Sequence, residues 1–520
     1  MNTTTNMSIS EQTNTAPDSQ NITNNMTQPD AEDSNSVTAH MNINSTNPLF
    51  PYRTDIKSAY DTTDRNIIWK SLQDANIDTP LLTTIQLLFN NVQIEVLLNG
   101  HVSTTPFTPI TEVLQGSTLS PHLYSVYINS LAQVLRDEPT STNSVYSTIR
   151  MPSSQPDQND DVVILGNACN TQTLLNIAEQ HSTSLGYRWN PHKSAIILPP
   201  HLQSANPTPS YTLYDQQIPT VPTFKYLGIY FSYRGINNKQ MLLHNATKGS
   251  QAMTILHSLG ANATGFDKQL SFQFYKCFIR PILEYALPIL TPTNNELKIL
   301  EKAQDNVCRL IMRGHKSSST QVIKHMNNMA NMSDRMVVLC AKNLVRVQQL
   351  PADALLTLFL QQLITSRTCH IRKLQTRNSI WRQLVSDLPT TRAPRQIYID
   401  KTDLKLQINQ FLLDQWHSTQ SKFVYAGHCR TTLGIDPIMY LPMTVHERSR
   451  LIRWRMGWLP GKPQACRNCN QINNLTTQLH VIICFQICEN LDMDIHAFLN
   501  SLPKSPPRSL DSSAAISISS

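Results

Sequence analysis

The sequence predicts an α+β protein: an antiparallel sheet with packed helices, then a mostly helical region, then a small Cys/His segment at the C-terminus. Three observations carry this. Short apolar runs such as Val162-Val163-Ile164-Leu165 suit buried strands and lie among helical patterns up to about residue 235. Beyond residue 237, apolar residues recur at helical spacing over 269–278, 295–312 and 334–347. Near the end, Cys466, Cys469, His480 and Cys484 stand at C-x₂-C-x₁₀-H-x₃-C spacing, which can close a tetrahedral metal site.

Taken in chain order, Asp55 ends a short strand and residues 65–73 start a helix. A second helix is expected over 81–90, with Thr79 as its N-cap and Pro80 at its first position. Residues 92–98 read as a strand, with Asn99-Gly100 as a hairpin turn. Ser120-Pro121 opens a helix by the same logic, and Leu123, Val126, Tyr127, Ser130, Leu131 and Val134 share one of its faces. Residues 136–158 read as a loop, Thr171–Leu185 as a helix, 194–198 as a short strand and 224–230 as a strand of a following hairpin. The predicted divisions are a tail at 1–48, a sheet-bearing domain at 49–235, a helical region at 236–365, a connection at 366–445, the Cys/His segment at 446–490 and a tail at 491–520, disordered from about 503.

Composition narrows the function classes. Residues 1–48 are rich in Asn, Thr, Ser and Gln, with five acids and no Lys or Arg, too polar to offset their ordering entropy. Removing that −5 from the net +7 leaves +12 on the remainder, a mildly basic body that suits a polyanionic partner. A soluble protein with a basic surface has the same balance. No secretory signal or long apolar stretch is present, so the sequence predicts no membrane span and an intracellular location. The ten cysteines are scattered except near the C-terminus, which fits a reducing compartment.

The chemistry centres on Asp160-Asp161, which lead into the apolar run from Val162. Adjacent carboxylates at a buried strand end repel each other, and a hard divalent cation such as Mg²⁺ is the usual compensation. A solvated turn before a core strand has the same composition. Around the pair, in order, stand Asp55 to Arg65 with Tyr60 inside, Val113-Leu114-Gln115-Gly116, Asn190-Pro191-His192-Lys193 and Phe224-Lys225-Tyr226-Leu227-Gly228.

This order of blocks resembles the palm of a reverse transcriptase, and most the non-LTR (LINE-type) retrotransposons, including elements common in fungal genomes. The likeness covers about residues 50–350, with a weaker echo to about 490. It implies a polymerase palm, a thumb-like helical region, and RNA-templated DNA synthesis from a DNA primer and deoxynucleotides. By resemblance, Asp55, Asp160 and Asp161 hold catalytic Mg²⁺ or Mn²⁺. Asp61 and Asp64 sit in or near the turn after Asp55 and read as helix N-terminal charges more than as metal ligands. Tyr60 takes the steric-gate position, or serves as a core aromatic. Gln115 and Gly116 approach template or nucleotide, or form an ordinary loop. Lys193 stands near the leaving pyrophosphate as a general acid, and Tyr226, Leu227 and Gly228 form a primer grip. The Cys466, Cys469, His480 and Cys484 set would take Zn²⁺, with Cys488 as a competing ligand. Reduced, unligated cysteines are the other reading. Arg453, Trp454, Arg455 and Trp458 precede the set, a mix suited to nucleic acid.

The chain also departs from the family pattern. Gln158-Asn159 replaces the usual aromatic-Ala pair before the acids, and Pro156 sits in the polar stretch ahead of them. Thr111-Glu112 replaces a basic-Gly pair. No Lys or Arg precedes Arg53, so nothing there resembles the triphosphate-binding fingers, and the chain leaves no room for an endonuclease domain. These features predict an N-terminally truncated, impaired polymerase, complemented by another polyprotein fragment if at all. The alternative is a non-catalytic remnant that binds nucleic acid.

Overall fold

The computed structural model describes residues 50–136, 161–351, 369–386 and 399–456, interrupted at 96, 99–100, 103–104, 107, 110, 115, 206–207, 263–264, 352–353 and 428. Residues 354, 356–357, 465–466, 468–469, 480 and 484 are described as well. The predicted loop at 136–158, both tails, Gln115, Asp160, Trp458 and Cys488 lie wholly or almost wholly outside the described residues.

The first half is built around strand β1 (Phe50–Asp55). Helices α1 (Arg65–Asp74) and α2 (Thr79–Asn90) follow, then a small hairpin of β2 (Leu97–Leu98) and β3 (His101–Val102). Helix α3 (Ser120–Arg136) leads to β4 (Asp161–Gly166), α4 (Thr171–Leu185) and β5 (Ala195–Ile196). The sheet order is β4-β1-β5, all antiparallel, so β1 is central, and its Tyr52 is buried beside Ile196 of β5. Backbone bonds from Ile196 N to Pro219 O and from Val221 N to Ile196 O carry the sheet one segment further. One core holds these strands to α1, α3 and α4 through Ile68, Tyr124, Tyr127, Leu175 and Trp189. The mixed α+β class read from the sequence is the class observed.

Local readings shift where more than one start or face was open. Helix α2 begins at Thr79, with Asp78 at the cap and Pro80 inside the first turn. Proline is tolerated anywhere in that turn because its missing N–H would be unpaired there. On α3 the buried stripe is Leu123, Tyr124, Tyr127, Ile128 and Leu131, while Ser130 and Val134 are exposed. Packing against both α1 and α4 widens the stripe toward Tyr124 and Ile128. The strand expected over 92–98 shrinks to Leu97–Leu98, and that over 194–198 to Ala195–Ile196.

After α5 (Pro200–Gln203), β6 (Thr212–Leu213) and β7 (Gln216–Gln217), the run 224–230 proves to be a whole hairpin. It pairs β8 (Thr223–Tyr226) with β9 (Ile229–Ser232), and β10 (Gly235–Ile236) completes that sheet. Leu227 (φ 45°) and Gly228 (φ 81°) make the two-residue turn. Positive φ at both central positions is the geometry that matches strand twist.

The second half is helical. Helices α6 (Asn238–Ser258), α7 (Lys268–Phe274), α8 (Arg280–Glu284), α9 (Asn294–Met312), α10 (Thr320–Met326) and α11 (Met332–Gln348) pack around one core. The expected helix over 269–278 is interrupted, since a π-turn at Tyr275–Ile279 joins α7 to α8. Helix α9 starts on a capping box of Thr293 and Glu296. The same core continues through Trp416, Cys429, Ile452 and Met456. Several basic side chains here are structural: Lys324 pairs with Glu301 and Asp305, Arg335 with Glu284, and Arg455 with Asp436. No described helix is long and apolar enough to cross a membrane.

Candidate functional site

The β4-β1 ladder sets the site. Its last register pair is Asp55 opposite Asp161, so two acid positions meet at one end of the sheet. From the other side, Asn190 N donates to Asp55 O at 2.8 Å, fixing the turn that carries Lys193. The Ser194 hydroxyl donates to Asn190 O and meets Thr54 Oγ1 at 3.1 Å. These bonds bring Lys193 Nζ to 3.0 Å from Asp55 Oδ2. Lys193 is 65% exposed and Asp55 16%. A pair that open to water contributes at most about 1 kcal/mol to stability, so Lys193 is a displaceable counter-ion more than a structural tie. The Asp55 carboxylate is therefore a hard oxygen donor at an accessible edge, the chemistry that Mg²⁺ and Mn²⁺ take.

The turn after β1 carries the next candidates. Tyr60 is half-buried and stacks on Tyr124, with ring centroids 5.1 Å apart. Its carbonyl accepts from Val113 N at 3.1 Å, which ties the turn to the segment before Gly116. Gly116 has φ 95°, a conformation that glycine adopts without strain. Asp64 caps α1 by accepting from Asn66 N at 2.8 Å, the helix-terminal role expected of it. Tyr226, Leu227 and Gly228 stand apart, at the tip of the hairpin in the other sheet. Tyr285 Oη donates to Leu227 O at 2.6 Å, and a Cβ on Gly228 would lie 2.9 Å from the Tyr285 ring.

Two functional supports escaped sequence reading. Arg65 is 5% exposed, and its guanidinium donates to the carbonyls of Phe89, Pro109, Thr111 and Glu112 at 2.6 to 2.9 Å. It staples the 105–114 segment to α1 and α2, and burial lowers its pKa. A signal existed: a cation in the first turn of a helix opposes the helix dipole, so another partner must hold it. The second support is His181, whose ring bonds Ser130 Oγ at 2.8 Å and Tyr187 Oη at 2.9 Å, joining α3 to α4. Burial pushes its pKa down to about 4, so it is neutral at pH 7.

Residues 2–231 match the reverse transcriptase (RNA-dependent DNA polymerase) family model. The match covers less than half of the 520 residues. It takes in Asp55, Tyr60, Gly116, Asp161, Lys193 and the tip of the β8-β9 hairpin, and it begins within the Asn/Thr-rich segment. No curated protein matches the chain. A reverse transcriptase domain implies divalent-metal use in general, a nucleic-acid template and primer, and nucleotide substrates.

Beyond the matched residues, Cys466, Cys469, His480 and Cys484 gather with their ligand atoms all within 4.8 Å of one another. Cys466 Sγ lies 3.7 Å from Cys484 Sγ, and Cys469 Sγ lies 3.4 Å from His480 Nε2. Zn–S bonds of about 2.3 Å at tetrahedral angles put two sulfurs ~3.8 Å apart, and a Zn–N bond of about 2.0–2.1 Å puts S and N ~3.6 Å apart. The cluster fits zinc on both edges. The Cys469 backbone N–H and the His480 ring stabilise the Cys466 thiolate and bring its pKa to about 6. Zinc binds thiolates, so this lowers the proton cost of ligation.

Proposed function

We propose that the chain is the polymerase of a non-LTR retrotransposon and makes DNA on an RNA template by two-metal nucleotidyl transfer. The observation that supports this most is the convergence of Asp55, the Asp161 position and Lys193 on one sheet end, inside the reverse transcriptase match. Bound divalent cations would supply activation of the primer 3′-oxygen and neutralisation of the leaving pyrophosphate. Asp55, Asp160 and Asp161 would hold them. Lys193, released from Asp55, would reach the leaving group and give it a proton. Tyr60 would lie under the sugar and exclude ribonucleotides, helped by its stacking on Tyr124. Gln115 and Gly116 would let the backbone approach the nucleotide closely, and Tyr226, Leu227 and Gly228 would position the primer end. Zinc at the Cys/His cluster would fold that segment for nucleic-acid contact.

The test is primer extension on poly(A)/oligo(dT) with Mg²⁺ or Mn²⁺, using the full chain beside Asp55→Asn. Loss of metal-borne charge stabilisation amounts to several kcal/mol, so the variant should lose about 10³-fold or more in rate. Equal extension by both proteins would reject the assignment of Asp55. No extension by either, with template binding intact, would leave a nucleic-acid-binding remnant as the function.

A further inference from the structure

We infer that the far end of the helical region carries a second nucleic-acid site, a basic concavity that grips the sugar–phosphate backbone about 20 Å along α6 from the β8-β9 hairpin. His257, Arg309, Arg313 and Lys316 line it together with Asn306, Leu310 and Gly314, and no acidic side chain lines it. It deepens the polymerase reading, on which it rests for the identity of the polyanion.

The location follows from two parallel helices. Helices α6 and α9 begin together, where Asn238 Oδ1 accepts from Thr291 N at 3.3 Å. They also end together, since His257 and Arg309 line the same concavity. The β8-β9 hairpin packs against α6, where the Tyr230 ring lies 5.3 Å from that of His244, and the 13 residues from His244 to His257 rise about 20 Å at 1.5 Å each. Along a nucleic-acid strand that separation is about six nucleotides, at roughly 3.4 Å each. The concavity is therefore distinct from the hairpin tip.

Capping of the helices does not account for the charge. Two helix C-termini carry about one negative charge between them. Arg309, Arg313 and Lys316 exceed that, and Lys268 adds to them. Lys268 lies close enough to Arg313 and Arg453 that both, after burial itself, lower its pKa. Asp267 offsets part of the surplus. Among the described residues, Arg309, Arg313 and Lys316 pair with no carboxylate, unlike Lys324, Arg335 and Arg455. Arg313 and Lys316 are exposed, and Arg309 Nε is buried with no hydrogen-bond partner. Guanidinium forks and an ammonium around a concave, acid-free surface are the chemistry that phosphates take.

The experiment is a salt titration of full-chain binding to fluorescein-labelled double-stranded DNA by anisotropy. Each phosphate contact contributes about 0.9 to the slope of log K against log salt, so Arg313→Ala/Lys316→Ala should lower the slope by nearly two. Arg313→Lys/Lys316→Arg should keep it. Lys401→Ala/Lys405→Ala, which removes the same charge from an exposed face elsewhere, should also keep it. An unchanged slope in the first variant, an equal fall in the Lys401/Lys405 variant, or no binding by the parent chain overturns the site. Primer extension fails independently. A slope change in a chain without extension upholds the site and rejects the polymerase, and extension with an unchanged slope does the reverse.

Discussion

The carboxylate edge and the Cys/His cluster both offer ligands to a metal, but they obtain their geometry in opposite ways. At the edge, Asp55 is held by a six-residue ladder with β4 and by Asn190 N, so its position is set by backbone pairing whether or not a cation is bound. At the cluster, the contacts among the described residues are local: Asn468 N donates to Cys466 Sγ, Cys466 Sγ meets Cys484 Sγ, and Cys469 Sγ meets His480 Nε2. Metal at the first would act on chemistry, and metal at the second on folding.

The largest effect that divides them is at the cluster. Structural zinc in small sites binds with about 10 kcal/mol or more of apparent free energy, and one lost thiolate removes much of it. Cys466→Ser should lower zinc from one per chain to none after dialysis, measured by mass spectrometry of the metal. The urea midpoint of the main unfolding transition should stay, because the cores at 52–218 and 241–456 do not include the cluster. Zinc retained in Cys466→Ser, or zinc lost in Asp55→Asn, would erase the distinction.

The edge depends instead on its scaffold, and Arg65 tests that. Replacing it with Met strands four carbonyls, three of them on the 105–114 segment that packs on the Tyr60 turn. Breaking a buried charged network typically costs about 3 kcal/mol or more, part of which water entry recovers. Arg65→Met should therefore lower the urea midpoint and primer extension together, with zinc content unchanged. A midpoint within error of the parent would show that the staple is redundant.

The same contrast explains what was legible in the sequence. Strand β1, helix α4 and the order of the blocks could be read because local pattern decides them: Asp55 ends a short strand, and 171–185 carries one apolar stripe closed by Gly186 at φ 84°. The cluster was legible because spacing along the chain limits which ligands can meet. Arg65 was not, since its acceptors at 89 and 109–112 are carbonyls, which every residue has. Nor was the basic concavity, which assembles from α6, α9 and the loop beyond, each unremarkable by itself. The 224–230 run was misread as one strand because its apolar content hid a turn that only Gly228 signals.

Glu112 gives the smallest and most specific test. Where the resemblance implies glycine, this chain has Glu112 at φ 83°, held by Glu112 N to Thr63 O at 3.0 Å and by Arg65 Nε to Glu112 O at 2.8 Å. A non-glycine residue in that region is strained by about 1–2 kcal/mol. Glycine removes the strain but gains freedom in the unfolded chain, worth about 0.4–1 kcal/mol against it. Glu112→Gly should thus stabilise the chain by about 0.5–1 kcal/mol, read as a small rise in urea midpoint. Glu112→Ala removes the same carboxylate but keeps a Cβ at positive φ, so it should show no rise. If alanine stabilises as much as glycine, the carboxylate and not the backbone is the source, and the departure at 111–112 carries no conformational cost. If only glycine does, the edge is held in a left-handed backbone geometry by Arg65 and Thr63 against the preference of its own side chain.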